Sequence, residues 1–405
     1  MKCGLLGKTL GHSYSPYIHS FLGEYSYELF EKQPEELEDF LINGDFVGLN
    51  VTMPYKKDVI PYCDELTDCA KKLGAVNTLV KRSDGTLVGH NTDYFGFQTM
   101  VARSGLTVNG KKALVLGSGG ASVTAVAVLQ ELGAEVTVIS RSGENNYDNL
   151  SVHSDAHILV NATPVGMYPN AGASPVDLSV LPKLEGVLDI VYNPARTKLM
   201  LDAEARGIPN ENGLLMLVAQ AKEASEWFTG RKIDDSTIAK IHSQMHLKMG
   251  NIVLIGMPGC GKSTIGEKLA EATGKQFVDM DAEIERYAGI TIPELFAQRG
   301  EDHFRKLETQ VLYEFGQRSG LIIATGGGCV TRAENYPLLH QNGTIYWIQR
   351  DISLLPKDGR PLSQSGNLQQ MYHSRKPLYE RFADKVITNN NTARQAADEI
   401  AKGWS

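Results

Sequence analysis

The residues Gly256-Met257-Pro258-Gly259-Cys260-Gly261-Lys262-Ser263 have the form GxxxxGK[ST]. Glycines at this spacing free backbone amides to wrap phosphate oxygens, the lysine reaches the outer phosphates, and the hydroxyl can ligate Mg²⁺. Gly259, Cys260, Gly261, Lys262, Ser263 and Thr264 are therefore expected to hold ATP, with Lys262 catalytic and Ser263 a metal ligand. Cys260 reads as a small filler open to thiol reagents. A second glycine turn, Gly117-Ser118-Gly119-Gly120, opens a helical pattern at Ala121, where free amides and the positive dipole end suit a pyrophosphate. The next apolar run ends at Ser140-Arg141-Ser142, where a chain that binds NAD would place a ribose-gripping acid. A guanidinium there suits a 2′-phosphate, so NADP is expected over NAD.

Positioning these residues takes strands that stop at one edge of a sheet. KCGLLG, FVGLNVT, KKALVLG, AEVTVIS, HILVNAT, GVLDIVY, NIVLIGM, GLIIATGG and TIYWIQ are apolar runs alternating with helical patterns, an α/β reading with parallel sheets. Two of them run straight into the glycine turns, so two nucleotide sites on two sheets are expected. The residues Asp234–Lys248 read as a helix end passing almost directly into the strand at Asn251, with no flexible linker. No internal repeat or low-complexity tract appears.

A length of 405 residues implies two or three domains, and 42% hydrophobic with 21% charged residues implies a folded globular chain. The net charge of −7 comes without a long basic run, which argues against nucleic-acid partners. The first residues lack a signal-peptide core and no run is apolar enough to span a bilayer, so neither export nor membrane insertion is expected. Five scattered cysteines without a CxxC pair fit a reducing cytoplasm. His242 and His246 stand at i, i+4 but lack the acid of HExxH and read as an exposed helix face.

From Met1 to Ser243 the chain resembles shikimate dehydrogenases. Gly11-His12-Ser13-Tyr14-Ser15-Pro16 resembles the substrate loop, Asn50-Val51-Thr52-Met53-Pro54-Tyr55-Lys56 the catalytic-lysine segment, and Gly74-Ala75-Val76-Asn77-Thr78 with Asn91-Thr92-Asp93 the remaining polar site. Asn161 through Met167, Asp189 through Pro194 and Gly213 through Gln220 resemble the later segments. Reducing a ketone by hydride needs a proton donor at the developing alkoxide. The resemblance makes Lys56 and Asp93 that catalytic pair, with Ser13, Ser15, Thr52, Asn77, Asn91 and Gln220 as substrate contacts. It implies NADP contacts at Gly117, Ser118, Gly119, Gly120, Ala121, Ser140, Arg141, Thr163 and Gly213. The stretch Arg141–Asn161 is short for this family, and Val123 stands where a basic residue often follows the glycine turn.

From Gly250 onward the chain resembles shikimate kinases, through Phe277-Val278-Asp279-Met280-Asp281, Gly300 through Arg305, Gly326-Gly327-Gly328, Arg360-Pro361-Leu362 and Arg375-Lys376-Pro377-Leu378-Tyr379. An acceptor with a carboxylate and adjacent hydroxyls calls for forked guanidinium groups and a carboxylate to orient the attacking hydroxyl. The resemblance assigns Arg305 and Arg375 to the clamp and Asp281 to orientation. It places Asp279 near Mg²⁺, Gly327 and Gly328 under the ring, and Arg360 on a closing lid. The stretch Gln349–Gly359 is shorter than usual for this lid, which leaves the adenine contacts unassigned.

The fold expected from both resemblances is an α/β substrate domain (1–103 with roughly 213–243), a Rossmann NADP domain (104–212), and a P-loop kinase α/β/α domain with a parallel sheet (249–405). The implied function is bifunctional and lies on the route to chorismate and the aromatic amino acids: NADPH-dependent reduction of 3-dehydroshikimate to shikimate, then phosphorylation of shikimate by ATP and Mg²⁺. Small molecules are the expected partners, and oligomerisation is left open. The rivals are a quinate-active dehydrogenase fused to a related kinase, and a non-catalytic sensor built on the same domains.

Overall fold

The computed structural model describes residues 1–11, 13–355 and 368–404. Two compact units share the chain: Met1–Val165, Ala173–Tyr192 and Asp202–Met245 form one, while Gly166–Gly172, Asn193–Leu201 and the residues from His246 onward form the other.

The first unit holds two sheets. Strands β1 (Lys2–Gly7), β2 (Ser26–Glu31), β3 (Gly48–Val51), β4 (Glu65–Leu66), β5 (Thr78–Lys81) and β6 (Leu87–His90) lie in the order β2-β1-β3-β5-β6-β4. Here the expectation of purely parallel sheets is corrected: β5 runs antiparallel to both β3 and β6. Only Arg82 to Thr86 join β5 to β6, too few for a crossover, and Gly85 at φ +91° makes the turn. The inward residues Leu6, Leu49, Val51 and Leu79 form the core. The other sheet, β7 (Lys112–Leu116), β8 (Glu135–Ile139), β9 (Ile158–Asn161), β10 (Gly186–Asp189) and β11 (Asn210–Asn212), is parallel throughout in the order β11-β10-β9-β7-β8. Its central strands are buried on both faces, which is why ALVL and ILV read as unbroken apolar runs.

The second unit carries β12 (Asn251–Ile255), β13 (Gln276–Asp279), β14 (Leu321–Ala324), β15 (Gly343–Gln349) and β16 (Lys385–Thr388), parallel in the order β13-β14-β12-β15-β16. The helix Ser236–Met249 reaches β12 across Gly250 alone. Its last carbonyls are capped by Lys275, whose Nζ donates to Leu247 O (2.7 Å), Lys248 O (3.1 Å) and Gly250 O (2.9 Å) beneath the ring of Trp404. Also within this unit, Ala195 N donates to Asn342 Oδ1 (2.7 Å), Arg196 N to Gln341 O (2.8 Å) and Ser319 Oγ to Asn193 Oδ1 (3.0 Å). No helix among the described residues is long and apolar enough to cross a membrane.

Candidate active sites

In the first sheet, antiparallel pairing delivers polar residues to one edge. Asn50 pairs with Thr78 and Thr78 with His90, so the end of β3, the start of β5 and the end of β6 coincide. Ser13 and Ser15 follow β1, and Ser15 N donates to Ser13 Oγ at 3.2 Å. Thr52 follows β3 and is tied by its amide to Leu6 O (2.9 Å). Lys56 Nζ meets Asp93 Oδ2 at 2.6 Å, with the Asp93 side chain 9% exposed and that of Lys56 26% exposed. Asn91 sets this aspartate: its Oδ1 accepts from Asp93 N (3.0 Å) while its Nδ2 donates to Ala75 O (2.9 Å). Asn77 Oδ1 accepts from Thr92 N (2.7 Å), and its Nδ2 donates to Gln220 Oε1 (3.1 Å). Gln220 can approach because a Cβ on Gly96 would lie 2.7 Å from Met216 O, so only glycine lets the helices Asp93–Ser104 and Leu214–Thr229 close up.

The glycine turn after β7 lies between β8 and β9, the crevice where a parallel sheet takes a nucleotide. Gly117 adopts φ +104°, and a Cβ on Gly119 or Gly120 would have nothing within 4 Å, so the turn is open at the start of the helix Gly120–Glu131. Thr163 packs beside this turn, 3.0 Å from the Cβ position of Gly117, with its hydroxyl donating to Asn161 Oδ1 (2.7 Å). Ser140 and the exposed Arg141 follow β8. A Cβ on Gly213 would stand 1.9 Å from Ile190 O, so the chain can pass there only as glycine. This cradle fits a dinucleotide pyrophosphate at a helix N-terminus.

In the second unit, the loop after β12 lies between β14 and β15 and lines a cleft of about 610 Å³. Gly256, Gly259 and Gly261 take φ of +144°, +80° and +102°. Lys262 Nζ donates to Gly256 O (2.9 Å) and Met257 O (3.1 Å), so its charge is held inside the loop. Ser263 Oγ donates to Asp279 Oδ2 (2.6 Å), and Asp279 Oδ1 accepts from Asp281 N (3.0 Å). A hydroxyl and a carboxylate together at the phosphate loop are the oxygen donors Mg²⁺ prefers. Cys260, expected to be accessible, is fully buried, and Asn389 Nδ2 grips its carbonyl at 2.7 Å. Thr264 also lines the cleft.

Across the cleft, Arg305 Nη1 donates to Glu308 Oε2 at 2.7 Å, and Arg375 Nη1 to Gly327 O at 3.2 Å. Each glycine of the triplet is crowded by a neighbour. A Cβ at Gly326 would stand 2.8 Å from Glu308 Oε1, at Gly327 2.6 Å from Pro258, and at Gly328 2.1 Å from Arg305 Nη2. Burial raises the Glu308 carboxyl above its usual range despite the facing guanidinium of Arg305. Arg360 lies outside the described residues.

Three contributors escaped the sequence reading, and a fourth, Tyr379, stood there in a motif without a role. Glu308 sits one helical turn beyond Arg305, a spacing that could have revealed it. Tyr379 OH donates to Gly327 O at 2.5 Å, and Arg350, whose buried Nε has no partner among the described residues, lines the cleft. Tyr27 OH donates to Asn50 Oδ1 at 2.7 Å from an edge strand whose alternation carries no such signal. Among the described residues no cluster of His, Cys, Asp or Glu has the makings of a separate metal site.

Residues 5–79 match the shikimate dehydrogenase substrate binding domain and residues 258–404 match shikimate kinase. A shikimate dehydrogenase (NADP(+)) of Clostridium perfringens is 35% identical over 265 residues, which span 60% of this chain and 97% of that protein. Among solved structures, a chorismate mutase/shikimate 5-dehydrogenase fusion protein from Clostridium acetobutylicum is 36% identical with a TM-score of 0.57, covering 60% of this chain and 96% of its own. The shikimate 5-dehydrogenase of Thermus thermophilus, solved with NADP(H) and shikimate, is 32% identical with a TM-score of 0.55, covering 60% and 98%. With its lysine–aspartate pair, its dinucleotide cradle and a kinase-type phosphate loop behind them, the chain belongs to the shikimate dehydrogenase family and carries a shikimate kinase domain in its C-terminal part.

Proposed function

We propose that this chain is a bifunctional enzyme that reduces 3-dehydroshikimate to shikimate with NADPH and phosphorylates shikimate at its 3-hydroxyl with ATP and Mg²⁺. The observation that supports the reading is that a lysine–aspartate pair and a phosphate-loop cleft stand in one chain, and the product of the first family's reaction is the substrate of the second's.

In the first reaction NADPH supplies the hydride. Lys56 gives a proton to the oxygen that becomes the new hydroxyl, and Asp93, 2.6 Å away, holds the ammonium in place. Ser13, Ser15, Thr52, Asn77, Asn91 and Gln220 bind the carboxylate and hydroxyls. The glycine turn, Ala121, Ser140, Arg141, Thr163 and Gly213 hold the dinucleotide. In the second reaction Arg305 and Arg375 clamp the shikimate carboxylate and Asp281 orients the attacking hydroxyl. Lys262 and the loop amides would draw charge from the transferred phosphoryl group, while Ser263 and Asp279 would hold Mg²⁺. Domain limits of 1–103 with roughly 213–243, 104–212 and 249–405 fit these roles, as does a cytoplasmic setting in which all five cysteines are free.

A coupled assay tests the proposal. Purified chain should oxidise NADPH with 3-dehydroshikimate, then release ADP on addition of ATP and Mg²⁺. Lys56→Ala should cost the first signal about 100-fold or more and leave the second, and Lys262→Ala the reverse. Turnover of quinate in preference to shikimate, or neither signal from a folded chain, would remove the reading.

A further inference from the structure

The kinase cleft holds one cation whose charge nothing in the fold uses. Four cations among the described residues line it: Lys262, Arg305, Arg350 and Arg375. Lys262 is held by two loop carbonyls, Arg305 by Glu308 and Glu301, and Arg375 by Gly327 O. The side chain of Arg350 has neither an acid nor a hydrogen-bond acceptor among the described residues, and its Nε is buried. A guanidinium carries five N–H donors and keeps its charge at any working pH. Leaving a buried one open costs stability, which a bound anion would offset.

The backbone on both sides of Arg350 is tied down. Gln349 closes β15, and its carbonyl accepts from Asn389 N at 2.8 Å, while Asp351 N donates to Asn390 Oδ1 at 2.8 Å. The same Asn389 reaches the phosphate loop, where its Nδ2 donates to Cys260 O at 2.7 Å. A Cβ on Gly256, the first residue of that loop, would stand 2.5 Å from Ile348 O. The end of β15 and the loop are thus held against each other, and a forked cation two residues past Ile348 is carried with them. Sheet order decides which ligand it meets. Asp281 follows β13, and Gly327 and Gly328 follow β14, whereas β15 lies on the other side of β12. Arg350 therefore approaches the loop from the side away from these acceptor residues, and the anion to be met at a phosphate loop is the phosphate chain of the nucleotide. Guanidinium groups match phosphate oxygens with two parallel N–H donors.

We infer that Arg350 is a nucleotide-binding residue: it donates to the phosphate chain of ATP and of ADP from the β15 side of the loop, opposite the acceptor. The inference rests on the kinase reading above for its nucleotide, and it holds whichever small alcohol accepts the phosphoryl group.

The test uses the full chain with Arg350→Met, which keeps the apolar stem and removes the charge, and Arg350→Lys, which keeps the charge and removes the fork. Binding of ADP with Mg²⁺ is measured by calorimetry without an acceptor, alongside kinase kinetics and thermal melting. Arg350→Met should raise the Kd for ADP and the KM for ATP about tenfold or more, with the KM for shikimate within about twofold. Arg350→Lys should fall between Arg350→Met and wild type. Because the charge has no partner in the ligand-free chain, its removal should leave the melting temperature of the kinase unit as high as in wild type or higher. A wild-type Kd for ADP in Arg350→Met overturns the inference. So does a rise confined to the KM for shikimate, or a lower melting temperature of ligand-free Arg350→Met, which would make the side chain a structural one. If wild type binds ADP through Arg350 and does not phosphorylate shikimate, the acceptor reading fails and this inference stands.

Discussion

Glu308 is the clearest case of a side chain whose charge is spent on another side chain. It is 1% exposed and faces Arg305 at 2.7 Å, while its other oxygen has no hydrogen-bond partner among the described residues. Removing it leaves the buried guanidinium only the half-exposed Glu301 at 3.3 Å, so Glu308→Ala should lower the stability of the kinase unit by about 3 kcal/mol in a urea titration. Glu308→Gln keeps the shape and should raise the KM for shikimate about tenfold while ADP affinity holds. Gly328→Ala probes the same guanidinium from the other side: the new methyl would stand 2.1 Å from Arg305 Nη2, a flexible end that can move away. The chain should therefore fold, bind ADP and lose shikimate phosphorylation, which binding and kinetic assays on one sample would show. Lys262 and the phosphate-loop glycines stood out in the sequence by their spacing, and Lys56 only through the resemblance. Tyr27, Tyr379 and Asn389 did not, because a neutral side chain takes its role from neighbours that only the fold supplies.

At the level of elements, the strand order does the gathering. Apolar runs announced the two parallel sheets, whereas β5 and β6 are short, and the antiparallel turn that brings Thr78 opposite His90 left little periodicity to read. The end of the helix Ser236–Met249 depends on Lys275, which burial, aided by the Lys248 charge, lowers to a pKa of about 8. A lysine lowered in the folded state reverses the usual sign: between pH 8 and its ordinary value near 10.4 the unfolded chain binds more protons, so folding gains stability as pH rises through that window. The difference in melting temperature between wild type and Lys275→Met should therefore move in favour of wild type from pH 7 to pH 10. A constant difference would mean that the lysine stays charged. Gly213→Ala meets a backbone carbonyl at 1.9 Å and should weaken NADPH binding together with the stability of the first unit, seen as a lower melting temperature that NADPH no longer raises.

For the molecule as a whole, the chain changes unit five times, at Val165, Gly172, Tyr192, Leu201 and Met245. Asn193, Ala195 and Arg196 make hydrogen bonds to Ser319, Asn342 and Gln341 inside the second unit. A fragment starting at His246 lacks those partners, and at about 1 kcal/mol per hydrogen bond its melting temperature should fall at least 5 °C below that of the kinase transition in the full chain. An equal melting temperature would show that the borrowed segments contribute nothing. The helix running into a strand at Asn251 was readable, but the earlier segments that join the second unit leave no mark in composition or pattern. The consequence reaches the gene. A stop codon after the dehydrogenase would release a protein with close free-standing relatives, but a start codon at the kinase would release one missing two of its own pieces, so the fusion is far easier to acquire than to undo.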